Sequence, residues 1–234
     1  MLNVRVSDGC CVARMNPTLR LAVFDLAGTT VRESGQIAAA FTAALSQQGI
    51  AVTDDQLAAV RGSSKREAIA RLVPDVADHL DRAEAAYAAF CEHLAAAFRG
   101  EGVQPIAGAE AVFRELRSAG VRVALNTGFD RDVTNLVLNA LHWNEDIVDA
   151  VVCANDVVEG RPAPYLIFHA MEATRVSSVH QVMTVGDTTL DLHAGHNAAV
   201  RWNIGVLTGA HSRSRLQQAP HTHLVASVGD LPGL

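Results

Sequence analysis

The sequence predicts an α/β fold: a doubly wound, Rossmann-like parallel sheet with an inserted α-helical cap domain. Short apolar runs alternate with helical patterns through most of the chain, as a parallel sheet with crossover helices requires. Most of these runs lead into turns rich in Gly, Asp, Thr or Asn. One long stretch, residues 33–100, breaks the alternation, because it is rich in alanine and shows helical patterns alone.

The apolar runs predict the elements of the sheet domain in order. Strands are expected at residues 21–26, 121–127, 150–153, 181–185, 201–206 and 223–226. Helices are expected at residues 108–119, 132–141, 164–173 and 189–198. In such sheets, ligands bind at the carboxyl ends of the strands. Polar residues at those ends are therefore the first candidates for a functional site.

The alanine-rich stretch predicts four helices, near residues 36–48, 54–60, 63–73 and 76–98. Because it follows the loop of the first strand, it is expected to lie over the carboxyl edge of the sheet as a cap. The predicted organisation is an N-terminal extension at residues 1–19, a core domain at residues 20–32 and 101–234, and a cap domain at residues 33–100.

Composition narrows the class of protein. The 234 residues are 49% hydrophobic and 19% charged, as in ordinary globular proteins. A net charge of −6 argues against a nucleic-acid partner. No apolar run approaches the ~20 residues of a membrane span, and no signal-peptide core is visible, so a cytoplasmic location is expected. The four cysteines lack metal-type spacing and are interpreted as free thiols, and His211, in a polar stretch, is expected to be solvated.

Candidate functional residues lie at the ends of the first four predicted strands. They are Asp25 in DLAGTT, Thr127 and Gly128 in VALNTG, Arg161 in EGRPAP, and Asp187 and Asp191 in VGDTTLD. Each alone has an ordinary explanation, such as a turn, a helix cap or a solvated charge. Together they would place three carboxylates, a hydroxyl and a cation around one pocket.

This set of groups points to phosphoryl transfer. Clustered carboxylates repel one another and raise each other's pKa unless a cation holds them. Mg²⁺ prefers oxygen ligands and suits such a cluster. One carboxylate can then attack a phosphoryl group while the hydroxyl, backbone N–H groups and the cation hold its oxygens.

With these motifs in this order, the sequence resembles the haloacid dehalogenase superfamily over residues 20–230. The resemblance implies Asp25 as the nucleophile that forms an aspartyl-phosphate. It implies Thr127 as a phosphate ligand, with Gly128 and Thr29 beside it, and Arg161 as the cation that bridges nucleophile and phosphate. The helical insertion is similar to the α-helical cap of this superfamily.

The same resemblance implies a Mg²⁺ site. Asp25 and Asp187 would bind the ion and Asp191 would support it. The backbone carbonyl of Ala27 would be a further ligand.

The side chain at position 27 departs from the common pattern, because phosphatases and phosphomutases of the superfamily have an aspartate there. That acid protonates a leaving alkoxide, a contribution of about 10²–10⁴-fold that alanine cannot make. The sequence D-L-A-G-T-T instead resembles the phosphonoacetaldehyde hydrolase branch, which has D-x-A-G-T-T. Enzymes of that branch break a phosphorus–carbon bond, so no alkoxide needs a proton, and a cap lysine forms an imine with the aldehyde.

Lys65 is the one lysine among 19 basic residues, and it lies in the predicted cap within RGSSKREAI. Its position three residues after Gly62 resembles the G-x-x-K element of the phosphonoacetaldehyde hydrolase branch. Lys65 would form the imine, grip a distal substrate group, or be a solvated charge. Where that branch has Met, His and Tyr, this chain has Arg61, Ala68 and Phe129.

The missing histidine leaves Lys65 without an obvious base to keep its amine neutral. Arg61 could lower the lysine pKa by repulsion or bind an anionic substrate tail.

The predicted function is Mg²⁺-dependent hydrolysis of a small organophosphorus substrate, by cleavage of the phosphorus–carbon bond of phosphonoacetaldehyde or a related phosphonate. The alternative is a phosphomonoester phosphatase, similar to phosphoglycolate phosphatase or phosphoglucomutase, in which Lys65 only grips the substrate. A receiver-type signalling module is disfavoured, because its phosphoacceptor follows the third strand and it has no cap. The expected partner is a small phosphonate or phosphate ester, and neither nucleic acid nor membrane. A homodimer is an expectation by family analogy.

Overall fold

A six-stranded parallel sheet organises the part of the chain that the computed structural model describes, residues 19–233. Most of the predicted N-terminal extension, including Cys10 and Cys11, lies outside this range. The strands are β1 (Leu21–Asp25), β2 (Arg122–Asn126), β3 (Ala150–Val152), β4 (Val182–Gly186), β5 (Trp202–Val206) and β6 (His223–Val225). Their spatial order is β3-β2-β1-β4-β5-β6. The α/β fold class predicted from the sequence is confirmed.

The two central strands, β1 and β4, are buried along their whole length. Their continuous apolar runs follow from this position, because a parallel sheet is covered by helices on both faces. Alternate side chains of β1 serve the two faces. Phe24 packs against Phe113 on one side, with ring centroids 5.1 Å apart, and Val23 belongs to the apolar cluster on the other.

Five helices follow the strands of the core. They are α5 (Ala109–Ser118), α6 (Arg131–Leu141), α7 (Tyr165–Thr174), α8 (Thr189–Asn197) and α9 (Arg213–Leu216). Helices α5 and α6 contribute to the cluster around Phe24, whereas α7 and α8 contribute to the cluster around Val23. The sheet is therefore doubly wound, and its carboxyl edge is left open between the two helical layers.

Four helices fill the inserted segment, which we call the cap (residues 33–100). They are α1 (Gln36–Gln47), α2 (Asp54–Ala59), α3 (Lys65–Leu72) and α4 (His79–Glu101). The apolar stripe of α4 packs on α1, where the rings of Phe41 and Phe90 lie 4.7 Å apart. Helix α4 begins three residues later than the pattern predicts, because turns after Pro74 occupy the intervening residues.

No helix within residues 19–233 combines the length and apolar composition that a membrane span requires.

Candidate active site

A cavity lies between the carboxyl ends of the strands and the cap. Ten residues were predicted for a site here, and eight of them line the cavity: Asp25, Ala27, Arg61, Lys65, Thr127, Gly128, Arg161 and Asp187. The other two, Thr29 and Asp191, are buried beside them and bind cavity residues. The order of the strands explains why these residues lie together. The predicted residues of the core domain end or follow β1, β2, β3 and β4, and these four strands are neighbours in the sheet, in the order β3-β2-β1-β4.

Three buried carboxylates meet at this edge. Asp25, Asp187 and Asp191 each offer an oxygen within 4.8 Å of the others. Burial raises the pKa of Asp25 to about 6, against the attraction of Arg161. Burial, followed by repulsion from Asp25 and Asp191, raises the pKa of Asp187 well above its usual range. A set of mutually repelling, water-poor carboxylates fits a hard divalent cation, so the cluster could hold a metal ion.

Asp187 is fixed from several sides. Its Oδ1 accepts a hydrogen bond from Thr29 Oγ1 at 3.1 Å, and its Oδ2 accepts one from the backbone N–H of Ala210 at 2.6 Å. A Cβ atom on Gly28 or Gly209 would come within 2.6 or 1.9 Å of Asp187 Oδ2. Both neighbouring loops therefore need glycine at the point where they approach this carboxylate.

Asp191 is oriented by the start of α8. Thr188 caps the helix: its side chain accepts a hydrogen bond from the Asp191 N–H, while Asp191 Oδ2 accepts from the Thr188 backbone N–H at 3.0 Å. This capping box is the ordinary explanation of the GD-x-x-x-D motif. In this fold the capping box also orients the second carboxylate oxygen of Asp191, Oδ1, toward Arg161.

Arg161 joins two of the three carboxylates. Its Nη2 lies 2.8 Å from Asp25 Oδ1, and its Nη1 contacts Asp191 Oδ1. The guanidinium is buried, and its Nε has no hydrogen-bond partner among residues 19–233. The fixed geometry of a guanidinium suits this bridging position, and the free Nε–H leaves one donor unused.

Thr127 begins the loop after β2. Its Oγ1 accepts a hydrogen bond from the backbone N–H of Phe129 at 3.1 Å, which tightens the turn at the cavity floor. The next residue, Gly128, meets the cap: a Cβ there would lie 2.7 Å from the carbonyl oxygen of Ser63. The Gly128 carbonyl accepts a hydrogen bond from the Lys65 N–H at 3.1 Å.

Lys65 begins α3 and reaches into the cavity. Its Nζ lies 3.4 Å from the carbonyl oxygen of Ser63 and 5.2 Å from the centre of the Phe129 ring. Burial, followed by repulsion from Arg161, lowers the pKa of this amine to about 8. The sequence suggested Arg61 as a group that could lower the pKa of Lys65, but the lowering follows from burial and from the charge of Arg161.

Sequence reasoning missed several groups that shape the site. The backbone of Gly209 and Ala210 positions Asp187, and the glycine in the turn after β5 was the available signal. The expectation that His211 is solvated is wrong, because it is 3% exposed and its Nδ1 accepts a hydrogen bond from the Thr189 N–H. Burial and then the charge of Arg215 lower its pKa to about 4. A polar local sequence cannot show that a loop folds beneath a neighbouring helix.

A polar contact also joins the cap to the core beside the cavity. Asp130 precedes α6 but makes no capping hydrogen bond, and its carboxylate lies 3.7 Å from Arg66 of the cap. The Arg66 guanidinium lies 4.2 Å from the centre of the Tyr87 ring. The Asp130 carboxylate, next to the Thr127 loop, therefore takes part in the contact between cap and core.

Comparison with known proteins places this architecture in a family. The model of the haloacid dehalogenase-like hydrolase family matches residues 22–204, most of the chain. Over 203 residues the chain is 30% identical to the phosphonoacetaldehyde hydrolase of Paraburkholderia phytofirmans, a match that covers 80% of this chain and 74% of that protein. A shorter match to the phosphonoacetaldehyde hydrolase of Parabacteroides distasonis is 36% identical over 124 residues, and it covers 53% of this chain and 46% of that protein.

Solved structures show the same fold. The crystal structure of a phosphonoacetaldehyde hydrolase-like protein from Oleispira antarctica superposes with a TM-score of 0.81 at 24% identity. The superposition covers 99% of this chain and 94% of that chain.

Proposed function

The chain belongs to the haloacid dehalogenase-like hydrolase family, and from that premise we propose that it cleaves the phosphorus–carbon bond of phosphonoacetaldehyde or a closely related phosphonate. One observation carries the proposal: a half-buried lysine, Lys65, lines the same cavity as Asp25, and the residue two positions after Asp25 is alanine. An amine suits a carbonyl substrate, and the alanine suits a reaction that releases no alkoxide.

In the proposed reaction, Lys65 acts first. Its neutral amine attacks the carbonyl carbon and loses water to form a protonated imine. With a pKa of about 8, about one Lys65 in ten is neutral at pH 7, far more than for an ordinary lysine. Burial thus performs the activation for which sequence reasoning sought a histidine.

Asp25 then attacks phosphorus. The phosphorus–carbon bond breaks as the carboxylate–phosphorus bond forms, and the electron pair of the broken bond moves into the imine to give an enamine. Protonation of the enamine carbon and hydrolysis of the imine release acetaldehyde and free Lys65. Water cleaves the aspartyl-phosphate, so one phosphonate and one water give acetaldehyde and inorganic phosphate.

The remaining predicted residues hold the phosphoryl group and the carboxylates. Thr127 and the backbone of Gly128, which line the cavity, would donate to phosphoryl oxygens, and Arg161 would orient the Asp25 carboxylate that it contacts. Thr29 acts on Asp187, since its hydroxyl is bound to that carboxylate.

The carboxylate cluster fits Mg²⁺. Asp25, Asp187 and the backbone carbonyl of Ala27 would hold the ion, with Asp191 supporting them. When bound, Mg²⁺ would offset the charge of the carboxylates and of the phosphoryl oxygens.

Borohydride trapping tests the proposal. Reduction in the presence of phosphonoacetaldehyde should attach a stable adduct to Lys65, detectable by peptide mass spectrometry. The Asp25→Asn variant should still trap the adduct but release no phosphate, because its imine forms without a nucleophile for phosphorus. A Lys65→Arg variant that retains full turnover would exclude the imine. Hydrolysis of phosphomonoesters by the native protein, without an adduct at Lys65, would instead support the phosphatase alternative.

A further inference from the structure

The roof of the cavity is apolar. Ile37, Ala38 and Phe41 of α1, together with Leu57 of α2 and Val60 directly after it, line the cavity from the cap. The groups proposed to act on the phosphoryl group, Asp25, Thr127, Arg161 and Asp187, come from the core, and Lys65 comes from the cap. The cavity therefore combines a polar floor with an apolar roof.

Part of this roof remains uncovered by protein. Phe41 and Leu57 are buried in the cap core, at 5% and 6% exposure, but Ile37, Ala38 and Val60 are only half-buried. Half-buried apolar side chains inside a cleft gain free energy when a ligand removes their surface from water.

Phosphonoacetaldehyde does not account for this surface. In the proposed function, its phosphoryl group is held by the core and its carbonyl carbon by Lys65. The rest of that molecule is one methylene and one aldehyde hydrogen, which leaves nothing to contact five apolar side chains of the cap.

The charged residues of the upper cavity do not suggest a cationic substituent. Glu33 lines the cavity, but its Oε1 accepts hydrogen bonds from the backbone N–H groups of Gly35, at 2.8 Å, and Ile37, at 3.3 Å. Its carboxylate is thus engaged at the start of α1. Arg61 is exposed and has no carboxylate partner within 4 Å among residues 19–233.

Resting on the proposed function, we propose that the substrate is a β-ketophosphonate that carries an alkyl or aryl group where phosphonoacetaldehyde has its aldehyde hydrogen. The apolar roof formed by α1 and α2 binds this group. Lys65 forms a ketimine with loss of water, and Asp25 takes the phosphoryl group as the phosphorus–carbon bond breaks and its electrons form an enamine. Protonation at carbon and hydrolysis give a methyl ketone, inorganic phosphate and the free enzyme, with one water consumed overall.

A series of ketones of increasing length tests the inference. Phosphate release is measured for 2-oxopropyl-, 2-oxobutyl- and 2-oxopentylphosphonate, which share one reactive group and differ only in alkyl length. Burial of each methylene is expected to raise kcat/KM about threefold, so the pentyl compound should exceed the propyl compound about tenfold. Phosphonoacetaldehyde is assayed beside them to report the proposed function itself.

Two substitutions locate the effect in the roof. Ile37→Ser and Val60→Ser should each reduce the pentyl-to-propyl ratio to about threefold or less. Leu80→Ser is the matched control, because Leu80 belongs to the cap helix α4 but is 76% exposed, and its ratio should equal that of the native protein. If a roof variant fails to fold, the ratio measured with the native protein still decides the matter.

The outcomes separate the two proposals. Phosphate release from phosphonoacetaldehyde with a pentyl-to-propyl ratio of one or less overturns the β-ketophosphonate inference and leaves the proposed function standing. A preference for a ketone of equal length that ends in a carboxylate also overturns it, because Arg61 would then select the substrate. Absence of phosphate release from every compound overturns both.

Discussion

At the scale of single residues, Lys65 shows how much of its chemistry depends on its surroundings. The sequence identifies it as the one lysine of the chain and places it after Gly62. It cannot show that the amine lies over the Phe129 ring and near Arg161, because those contacts join three distant segments. The lowered pKa of Lys65 therefore depends on the folded structure, although the residue itself could be identified from the sequence.

The pH dependence of turnover should report this pKa. In the proposed imine mechanism the neutral amine is the reactive form, and it becomes the major form only above its pKa of about 8. We expect kcat/KM for a carbonyl phosphonate to rise about tenfold per pH unit below pH 8 and to level off above it. Rates at saturating metal between pH 6.5 and 9.5 would test this. A flat profile through pH 8 would argue that Lys65 does not act as a neutral nucleophile.

Ala27 offers a second prediction at this scale. It lines the cavity two residues after Asp25, so an acid there could protonate a leaving oxygen. Ala27→Asp should increase hydrolysis of simple phosphomonoesters, by about 10²-fold where proton transfer limits the rate. Ala27→Asn is the matched control, since it has similar size and polarity but no proton to give. Equal activity of the two variants toward esters would contradict the role assigned to position 27.

At the scale of elements, the periodic patterns predicted the six strands and eight longer helices, because buried strands and packed helix faces impose local spacing. The short helix α9 and the turns near β4 were not predicted, since a few residues carry too little periodicity. Side-chain direction was also beyond local reasoning. Thr29 is predicted at the phosphate, and its hydroxyl donates a hydrogen bond to Asp187, 158 positions later in the chain.

The turn before α3 docks the cap onto the core. Gly62 has a φ of +87°, and a Cβ there would lie 2.7 Å from Thr188 Oγ1. The following residues, Ser63 and Lys65, contact Gly128. Placement of the Lys65 amine in the cavity thus depends on close backbone approach at this turn.

Gly62→Ala should separate cap docking from folding. The left-handed backbone alone should cost about 1–2 kcal/mol of unfolding free energy. Gly49→Ala is the control: Gly49 has a φ of +70°, but a Cβ there meets no atom within 4 Å. Denaturation should show similar losses for both variants, whereas kcat/KM should fall at least about tenfold for Gly62→Ala alone. Equal kinetics in the two variants would show that the turn tolerates a side chain against Thr188.

At the scale of the whole molecule, the carboxylate cluster opposes folding while it prepares the site. The core of the sheet contains continuous apolar runs, yet three carboxylates are buried at its edge, and Arg161 bridges only two of them, Asp25 and Asp191. Buried groups of like charge destabilise a fold unless a counter-ion binds. Binding of a divalent cation is therefore expected to stabilise the entire chain as well as the local site.

Asp25→Asn tests this conflict between stability and function. Burial raises the pKa of Asp25 from 3.8 to about 6, so the folded chain holds this proton more tightly than the unfolded chain. The destabilisation is full above pH 6 and disappears as the pH falls through 6 toward 3.8. In EDTA at pH 8, Asp25→Asn should be more stable than the native protein by about 1–3 kcal/mol, and the difference should vanish near pH 4.

Addition of Mg²⁺ at pH 8 should raise the Tm of the native protein more than that of the variant, because only the native protein keeps all three carboxylates. Denaturation curves at both pH values, with and without Mg²⁺, measure these differences. A variant less stable than the native protein in EDTA at pH 8 would contradict the expectation. It would show that the ion pair of Asp25 with Arg161 stabilises the fold by more than burial of the Asp25 carboxylate destabilises it.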